Sequence, residues 1–273
     1  MRLCKVLRVN RSTYYKHFHS APSPRTVENQ ALRQLIWSEY MASNKRLSAA
    51  KMTIVLSRNH DIHISSGRVY RLMKSMNLPK MATSKPNFLY KKPSVSLSYP
   101  NELNQQFNPT QPNRAWVSDI TYISVKNKFV YLCVVLDLFS RKVIGWKVST
   151  RMTTSLVVDT LTQAIQHRQP TQPVLMHSDR GSQYTSLVYR QFLDTHQLVP
   201  SYSKPGYPYD NAVMEAFFKY IKKEELDRRQ FHSMEEVVLS TFEYIEGWYN
   251  SKRPHSHNQM LTPNEREIQF FPS

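Results

Sequence analysis

The sequence has few of the residues that build the commonest metal and nucleotide modules. Its two cysteines, Cys4 and Cys133, lie far apart, which excludes a disulfide framework and a cysteine-rich zinc module. Glycine occurs only five times, and no two glycines have the spacing of G-x-G-x-x-G or G-x-x-x-x-G-K-S/T. We therefore expect no zinc and no nucleotide cofactor, and an activity that proceeds without ATP.

Long apolar runs are missing as well. No stretch approaches the 18 or so consecutive apolar residues of a membrane-spanning helix, so no contact with a membrane is predicted. The first 18 residues mix charged and apolar side chains, without the hydrophobic segment of a secretory signal. These features predict a cytoplasmic protein.

Acidic residues are scarce in the first hundred positions, which hold 18 lysines and arginines against three acids. The remaining residues hold 19 basic and 17 acidic side chains, so nearly all of the net charge of +17 lies in the first part. Such a balance points to a polyanionic partner. Repeated prolines in a Ser/Asn/Lys-rich stretch indicate a linker. The predicted organisation is a basic helical region over 1–78, a linker over 79–113 and a core over 114–273.

Apolar periodicity in the basic region predicts three helices, over Val27–Tyr40, over Ser48–Ser57, and from a cap at Ser65–Ser66 to Asn77. On the third helix Arg68, Arg71 and Lys74 recur every third residue, opposite an apolar stripe. A helix pair with a basic outer face is typical of a helix-turn-helix that binds the major groove of DNA. The alternative is a helical hairpin with ordinary solvated side chains.

The core alternates between strand-like and helix-like segments and is predicted to be α/β. The predicted order is three antiparallel strands, a helix, a strand, a helix, a strand and a helix: Trp116–Ile123, Phe129–Asp137, Lys142–Val148, Thr154–His167, Val174–Ser178, Ser186–His196, Leu198–Ser201 and a helix beginning at Asn211. On the last helix, we predict a packed face of Val213, Phe217, Tyr220 and Ile221.

Three acids stand at positions where carboxylates are unusual or functional. Asp119 lies inside an apolar strand, Asp179 follows the fourth strand, and Glu215 shares a helix face with Lys222. Oxygen ligands of this kind suit Mg²⁺ or Mn²⁺. Each acid also has an ordinary explanation, as a hydrogen-bonded structural aspartate or a solvated surface glutamate.

Several motifs occur together in one order: W-x-x-D-I-T-Y at 116–122, H-S-D-R-G-S-Q-Y at 177–184, Y-D-N-A-V-M-E-A-F-F-K at 209–219 and Y-N-S-K-R-P-H at 249–255. With them the chain resembles the DDE transposase/integrase superfamily, in particular the second-frame protein (OrfB) of two-reading-frame bacterial insertion sequences with a retroviral-integrase-like core. Thirty-five residues separate Asp179 from Glu215, as in the D,D(35)E signature of that superfamily.

The resemblance implies a ribonuclease-H-like core, a five-stranded mixed sheet with flanking helices, preceded by an all-α helix-turn-helix region. It also implies that Asp119, Asp179 and Glu215 are catalytic residues that hold two Mg²⁺ or Mn²⁺ ions, and that the chain cleaves and transfers DNA strands by two-metal transesterification. Two alternatives remain open: a catalytically inactive DNA-binding regulator, and a structure-selective nuclease on the same fold.

The implied partners are double-stranded DNA, both element ends and target, further copies of this chain on that DNA, and the first-frame protein of the same element. The implied location is the bacterial nucleoid.

Among single residues, Lys222 is expected to contact DNA phosphates and His177 to support the acids by a hydrogen bond. Asn211 is expected to cap its helix, and the alternatives are that it orients the region of Glu215 or contacts DNA. Arg253 and His255 either contact DNA or fix the C-terminal segment.

Overall fold

A computed structural model describes residues 22–78, 100–204 and 207–270, with a few single positions before residue 22. The chain divides into two compact units, Met1–Ala82 and Thr83–Ser273. Most of the predicted linker, residues 79–99, lies outside the described residues, whereas 100–113 consists of bends and turns.

The first unit contains the three predicted helices, α1 (Pro24–Ala42), α2 (Ala49–His60) and α3 (Ser66–Ser75). The Ser65 side chain accepts a hydrogen bond from the backbone N–H of Arg68, which confirms the predicted cap of α3. The helices share one apolar core, to which each contributes two or three buried side chains: Leu32, Ile36, Tyr40, Met52, Leu56, Val69, Leu72 and Met73. The apolar stripes predicted from the sequence therefore hold this unit together.

The second unit is built on a five-stranded sheet in the order β3-β2-β1-β4-β5. The strands are β1 (Ala115–Val125), β2 (Lys128–Asp137), β3 (Val143–Ser149), β4 (Val174–Ser178) and β5 (Leu198–Tyr202). The first three pair antiparallel, and β4 and β5 continue parallel to β1. This confirms the predicted mixed sheet of a ribonuclease-H-like core.

Helices flank the sheet: α4 (Thr154–Arg168), the single turn α5 (Ser182–Thr185), α6 (Leu187–Thr195), α7 (Ala212–Glu224), α8 (Met234–Tyr244) and α9 (Pro263–Phe270). Helix α4 packs so closely on β3 that a Cβ at Gly145 would lie 2.6 Å from the Thr160 carbonyl oxygen. Glycine is therefore required there by close approach. Among the described residues, no helix is both long enough and apolar enough to cross a bilayer.

The packed face predicted for α7 is only partly right. Phe217 and Ile221 are buried, but Tyr220 is 40% exposed, and Met214 and Phe218 are buried instead. The buried stripe also includes Glu224, which no hydrophobic pattern could include. The buried face of α7 is therefore the apolar stripe of Met214, Phe217, Phe218 and Ile221, and Glu224 continues it at the C-terminal end of the helix.

Candidate active site

The sheet brings two of the three predicted acids together. Strands β1 and β4 are parallel and pair Trp116 with Met176 and Val117 with His177. Asp119 lies two residues beyond Val117, and Asp179 two residues beyond His177, just past the C-terminal end of β4. Strand ends that open into loops are the usual place for sites in α/β folds.

Asp119 is held in a strained electrostatic position. Its Oδ1 accepts a hydrogen bond of 2.7 Å from the Ile120 backbone N–H. Burial, and then the charges of Asp179 and Glu215, raise the pKa of Asp119 to about 8, against the opposing effects of that N–H and of Lys222. The negative charges of Asp179 and Glu215 therefore disfavour ionisation of the Asp119 carboxyl.

Asp179 is fixed by the turn that follows it. Its Oδ1 accepts a 2.9 Å hydrogen bond from the Gly181 N–H, just before α5. A Cβ at Gly181 would lie 3.1 Å from Asp179 Oδ1 and 3.0 Å from Gln183 Oε1, so the turn leaves little room for a larger residue. Partial burial raises the pKa of Asp179, and the hydrogen bond from the Gly181 N–H partly offsets this rise.

Helix α7 packs on β1 and carries both Glu215 and Lys222. Glu215 lies exposed in the first turn, and partial burial raises its pKa. Lys222 is half-buried, with its Nζ 4.7 Å from the centre of the Tyr122 ring. Burial lowers the pKa of Lys222, while the charges of Asp227 and Asp119 act in the opposite direction. Both predicted residues of α7 thus act electrostatically on β1.

Asp119, Asp179 and Glu215 offer only carboxylate oxygens, and oxygen ligands suit a hard divalent cation such as Mg²⁺ or Mn²⁺. In the described part of the chain, no group of three or more histidine, cysteine or acidic side chains is close enough together to hold a metal ion. The three acids are therefore electrostatically coupled without forming a closed cage.

His177 is buried on β4, and its partners are serines rather than the acids. Its Nδ1 lies 2.8 Å from Ser201 Oγ and its Nε2 lies 3.1 Å from Ser203 Oγ. Burial lowers the pKa of His177 to about 4, so the ring is neutral at pH 7. The Arg180 Nε also donates to the Ser203 carbonyl. His177 thus joins β4 to the end of β5 beside Asp179, and its support of the acids stays a prediction.

The predicted cap at Asn211 is wrong. Asn211 stands at the N-terminus of α7 but its side chain makes no capping hydrogen bond, because a 3₁₀ turn over Pro208–Asn211 leads into the helix. The side chain is buried, and neither its Oδ1 nor its Nδ2 has a hydrogen-bond partner among the described residues. Neighbouring Asp210 is the connecting residue: it accepts hydrogen bonds from Asn101 Nδ2, Gln105 Nε2 and the Lys204 N–H.

An ion pair at the far end of α7 fixes the C-terminal segment. Arg253 donates through Nε and Nη2 to the Glu224 carboxylate, with a shortest distance of 2.9 Å, and both side chains are 3% exposed. Tyr244 Oη and Trp248 Nε1 donate to the same carboxylate. His255 is buried too, with its Nε2 3.4 Å from the Tyr249 carbonyl oxygen. Of the two predicted roles for Arg253 and His255, the structure shows the structural one.

In the helical unit, the three predicted DNA-binding residues differ. The Arg68 guanidinium binds both carboxylate oxygens of Glu28 at 3.0 and 2.7 Å and also donates to Asn29 Oδ1, so it links α3 to α1. Arg71 and Lys74 are exposed on α3. DNA contact by these residues stays a prediction. Arg71 and Lys74 are accessible for it, whereas the Arg68 guanidinium is bonded to Glu28.

Known proteins match this chain over most of its length. Two integrase core domain models match residues 109–208 and 196–263. The transposase for insertion sequence element IS904 of Lactococcus lactis is 38% identical, over 91% of this chain and 98% of its own. Transposase InsF for insertion sequence IS3A of Escherichia coli is 35% identical, over 97% and 92%. The solved catalytic core domain of BIV integrase is 22% identical, covers 58% of this chain and 96% of its own, and aligns with a TM-score of 0.44. The chain belongs to the DDE transposases of bacterial insertion sequences, of the second-frame kind with an integrase core, and is a polynucleotidyl transferase.

Proposed function

We propose that this transposase cleaves a DNA strand and transfers the resulting 3′-hydroxyl to a second phosphodiester, with Asp119, Asp179 and Glu215 as the catalytic residues. The observation that supports the proposal is the parallel pairing of β1 with β4, since Asp119 and Asp179 each follow the last pair by two residues and α7, which carries Glu215, packs on β1. Burial raises the pKa of each of the three acids, and the charges of Asp179 and Glu215 raise that of Asp119 further, against the opposing charge of Lys222.

The same three carboxylates would hold two divalent cations. When bound there, Mg²⁺ or Mn²⁺ supplies Lewis-acid chemistry that favours ionisation of the attacking hydroxyl and stabilises the leaving oxygen. The chain's own residues orient the donors: the Ile120 N–H fixes one Asp119 oxygen and the Gly181 N–H fixes one Asp179 oxygen. One oxygen of each carboxylate makes these bonds, which leaves the other as a metal ligand.

DNA is held by other residues. Lys222 lies close enough to Asp119 to act on its pKa and would neutralise a phosphate near the reacting strand. The basic helical unit supplies affinity through exposed side chains such as Arg71 and Lys74. We further propose that several copies act together on the element ends, and that the first-frame protein of the element is a fusion partner or a binding partner.

The proposal is tested with duplexes that carry the terminal sequences flanking the reading frame. With Mg²⁺ or Mn²⁺, wild type should release a 3′-hydroxyl end and join it to a target plasmid, whereas Asp119→Asn should do neither. Asp159→Asn is the matched control, since Asp159 is an exposed helix carboxylate on α4. Joining by Asp119→Asn would contradict the proposal, and cleavage without joining by wild type would favour a nuclease.

A further inference from the structure

The helix that carries Glu215 begins without a side-chain cap. Helix α7 starts at Ala212, and the side chain of Asn211 at its N-cap position makes no capping hydrogen bond. Glu215 lies in the first turn of this helix. The first N–H groups of a helix have no partner within it, and helix ends without further contacts fray. The position of Glu215 therefore depends on contacts that hold the start of α7 from outside the helix.

Asp210 makes such contacts. It lies in the 3₁₀ turn Pro208–Asn211, which leads into α7, and it is buried. Its Oδ2 accepts hydrogen bonds from Asn101 Nδ2 at 2.9 Å and from the Lys204 N–H at 2.8 Å, and its Oδ1 accepts one from Gln105 Nε2 at 2.9 Å. We call Asp210 with these three donors the Asp210 clamp. The three donors are neutral amides, so the clamp requires acceptor oxygens rather than a partner of opposite charge.

Two donors of the clamp lie on a segment, residues 100–105, that is fixed to β5. The Tyr202 N–H donates to the Pro100 carbonyl oxygen at 2.9 Å. The Leu103 N–H donates to Ser201 Oγ, also at 2.9 Å. Strand β5 is the last strand of the sheet, so the segment lies along its outer edge. The Asp210 clamp thus ties the start of α7 to β5 through residues that precede the matched integrase core, which begins at position 109.

Strand β5 continues this connection to Asp179. It pairs parallel to β4, and Tyr202 is the partner of Ser178. Asp179 follows Ser178 directly in the chain. A short series of hydrogen bonds therefore leads from the turn that holds Glu215 to the strand that ends before Asp179. Sites whose ligands come from separate elements depend on contacts that fix those elements relative to one another.

We propose that Asp210 is a positioning residue, which fixes the first turn of α7 so that Glu215 can bind the same divalent cations as Asp179. This rests on the proposed function, because it takes Glu215 as a metal ligand. Asp210 acts through the hydrogen bonds of the clamp and does not itself bind the cation. Its negative charge is therefore not required, whereas an acceptor for the clamp donors is required.

The experiment measures Mn²⁺ binding by the full chain without DNA, from the electron paramagnetic resonance signal of the free ion. Asp210→Ala removes the acceptor of the clamp. Asn101→Ala combined with Gln105→Ala removes two of the three donors and keeps the buried Asp210, so this double variant tests the clamp even where Asp210→Ala does not fold. We expect each of these proteins to show a Mn²⁺ dissociation constant about tenfold higher than that of wild type, as is usual for changes in residues that orient metal ligands.

Two further variants separate positioning from other roles. Asp210→Asn should keep the Mn²⁺ dissociation constant within about threefold of wild type, because Gln105 can turn its amide and accept a hydrogen bond from the introduced nitrogen. Gln111→Ala is the matched control: Gln111 lies on the same stretch before β1, and its Oε1 accepts hydrogen bonds from Arg114. This variant should bind Mn²⁺ as wild type does.

An unchanged Mn²⁺ dissociation constant in the double variant, even with a lower melting temperature, would overturn the proposal, because the clamp would then serve stability alone. A loss of binding in Asp210→Asn as large as that in Asp210→Ala would also overturn it, because the cation would then need the carboxylate charge itself. Glu215→Gln identifies a failure of the proposed function. If this variant binds Mn²⁺ as wild type does, Glu215 is not a metal ligand and both proposals fail. If it binds more weakly while the clamp variants do not, only the clamp proposal fails.

Discussion

The two units of this chain carry their charge in opposite ways. In the helical unit the excess is unbalanced and at the surface, where Arg71 and Lys74 are exposed. In the catalytic unit positive and negative side chains nearly balance, and interior charges are paired, as Arg253 is with Glu224. Surface charge attracts a polyanion at a distance, whereas a buried pair fixes the position of its elements. The difference accords with the proposal that the helical unit supplies DNA affinity, while buried pairs fix the geometry of the catalytic unit.

The three acids are the exception within the catalytic unit. Asp137 shows the ordinary arrangement: it is buried, but Arg168 and the N–H groups of Asn113 and Phe139 bind it. Among the described residues, the Ile120 N–H and the charge of Lys222 stabilise the Asp119 carboxylate, against burial and the charges of Asp179 and Glu215. An unbalanced buried acid of this kind is typical of a functional site, which accords with the metal-binding role proposed for Asp119.

The largest effect should come from Glu215→Gln. We expect strand joining to fall at least about 10³-fold, because the variant keeps the shape of the side chain but removes a charge that would bind the cation. DNA affinity at a fixed salt concentration should change less than about twofold. A joining assay measures strand transfer and fluorescence anisotropy measures DNA affinity, both on the same preparation. Equal losses of joining and binding would show that the two roles are not separated.

A smaller but still large effect should follow from breaking the buried pair. Arg253→Met leaves the Glu224 carboxylate without its ionic partner, and we expect a loss of about 3–5 kcal/mol in the free energy of unfolding. The pair of Lys147 with Asp159, exposed on both sides, is the control, and Lys147→Ala should cost less than about 1 kcal/mol. Urea unfolding followed by tryptophan fluorescence measures both. Equal costs for the two variants would show that burial of the pair does not matter.

Much of the catalytic unit could be predicted from its sequence because its signals are local. Strand β4 was predicted with its observed ends, Val174 and Ser178, since an apolar run ends there at polar residues. The pairing of Glu224 with Arg253 was not predictable: Glu224 follows two lysines and looks like a solvated residue, and its partner is 29 positions away. The same holds for Arg68, whose bond to Glu28 depends on how α1 and α3 pack.

The salt dependence of DNA binding should show which side chains of the helical unit contact phosphates. Each phosphate contact that is removed should lower the slope of log affinity against log salt concentration by about one. Arg71→Ala with Lys74→Ala should therefore lower it by about two. Arg68→Ala is the comparison, because Glu28 already binds that guanidinium, and it should change the slope less. A slope that is the same in wild type and the double variant would remove these two residues from the DNA contact.

The smallest expected effect concerns the stability of the metal-free catalytic unit against pH. The pKa of Asp119 is about 8 in the fold and near 3.8 in an unfolded chain, so the folded state binds the proton more tightly. This group therefore stabilises the fold below pH 4 relative to higher pH, and its contribution is lost as the pH rises towards 8. Asp119→Asn removes the titration and still offers an oxygen to the Ile120 N–H.

We therefore expect Asp119→Asn to be more stable than wild type in EDTA, by a margin that grows from pH 4 to pH 8 and reaches about 1 kcal/mol or more. This margin corresponds to roughly 2–4 °C in melting temperature for a domain of this size. Adding Mg²⁺ at neutral pH should raise the melting temperature of wild type more than that of the variant, because a ligand that binds only the folded state stabilises it. Trp116 and Trp248 report the transition of this unit, and Asp159→Asn should show neither trend. A margin independent of pH would mean that the fold does not raise the pKa of Asp119, and Asp119 would then not be an unbalanced buried acid.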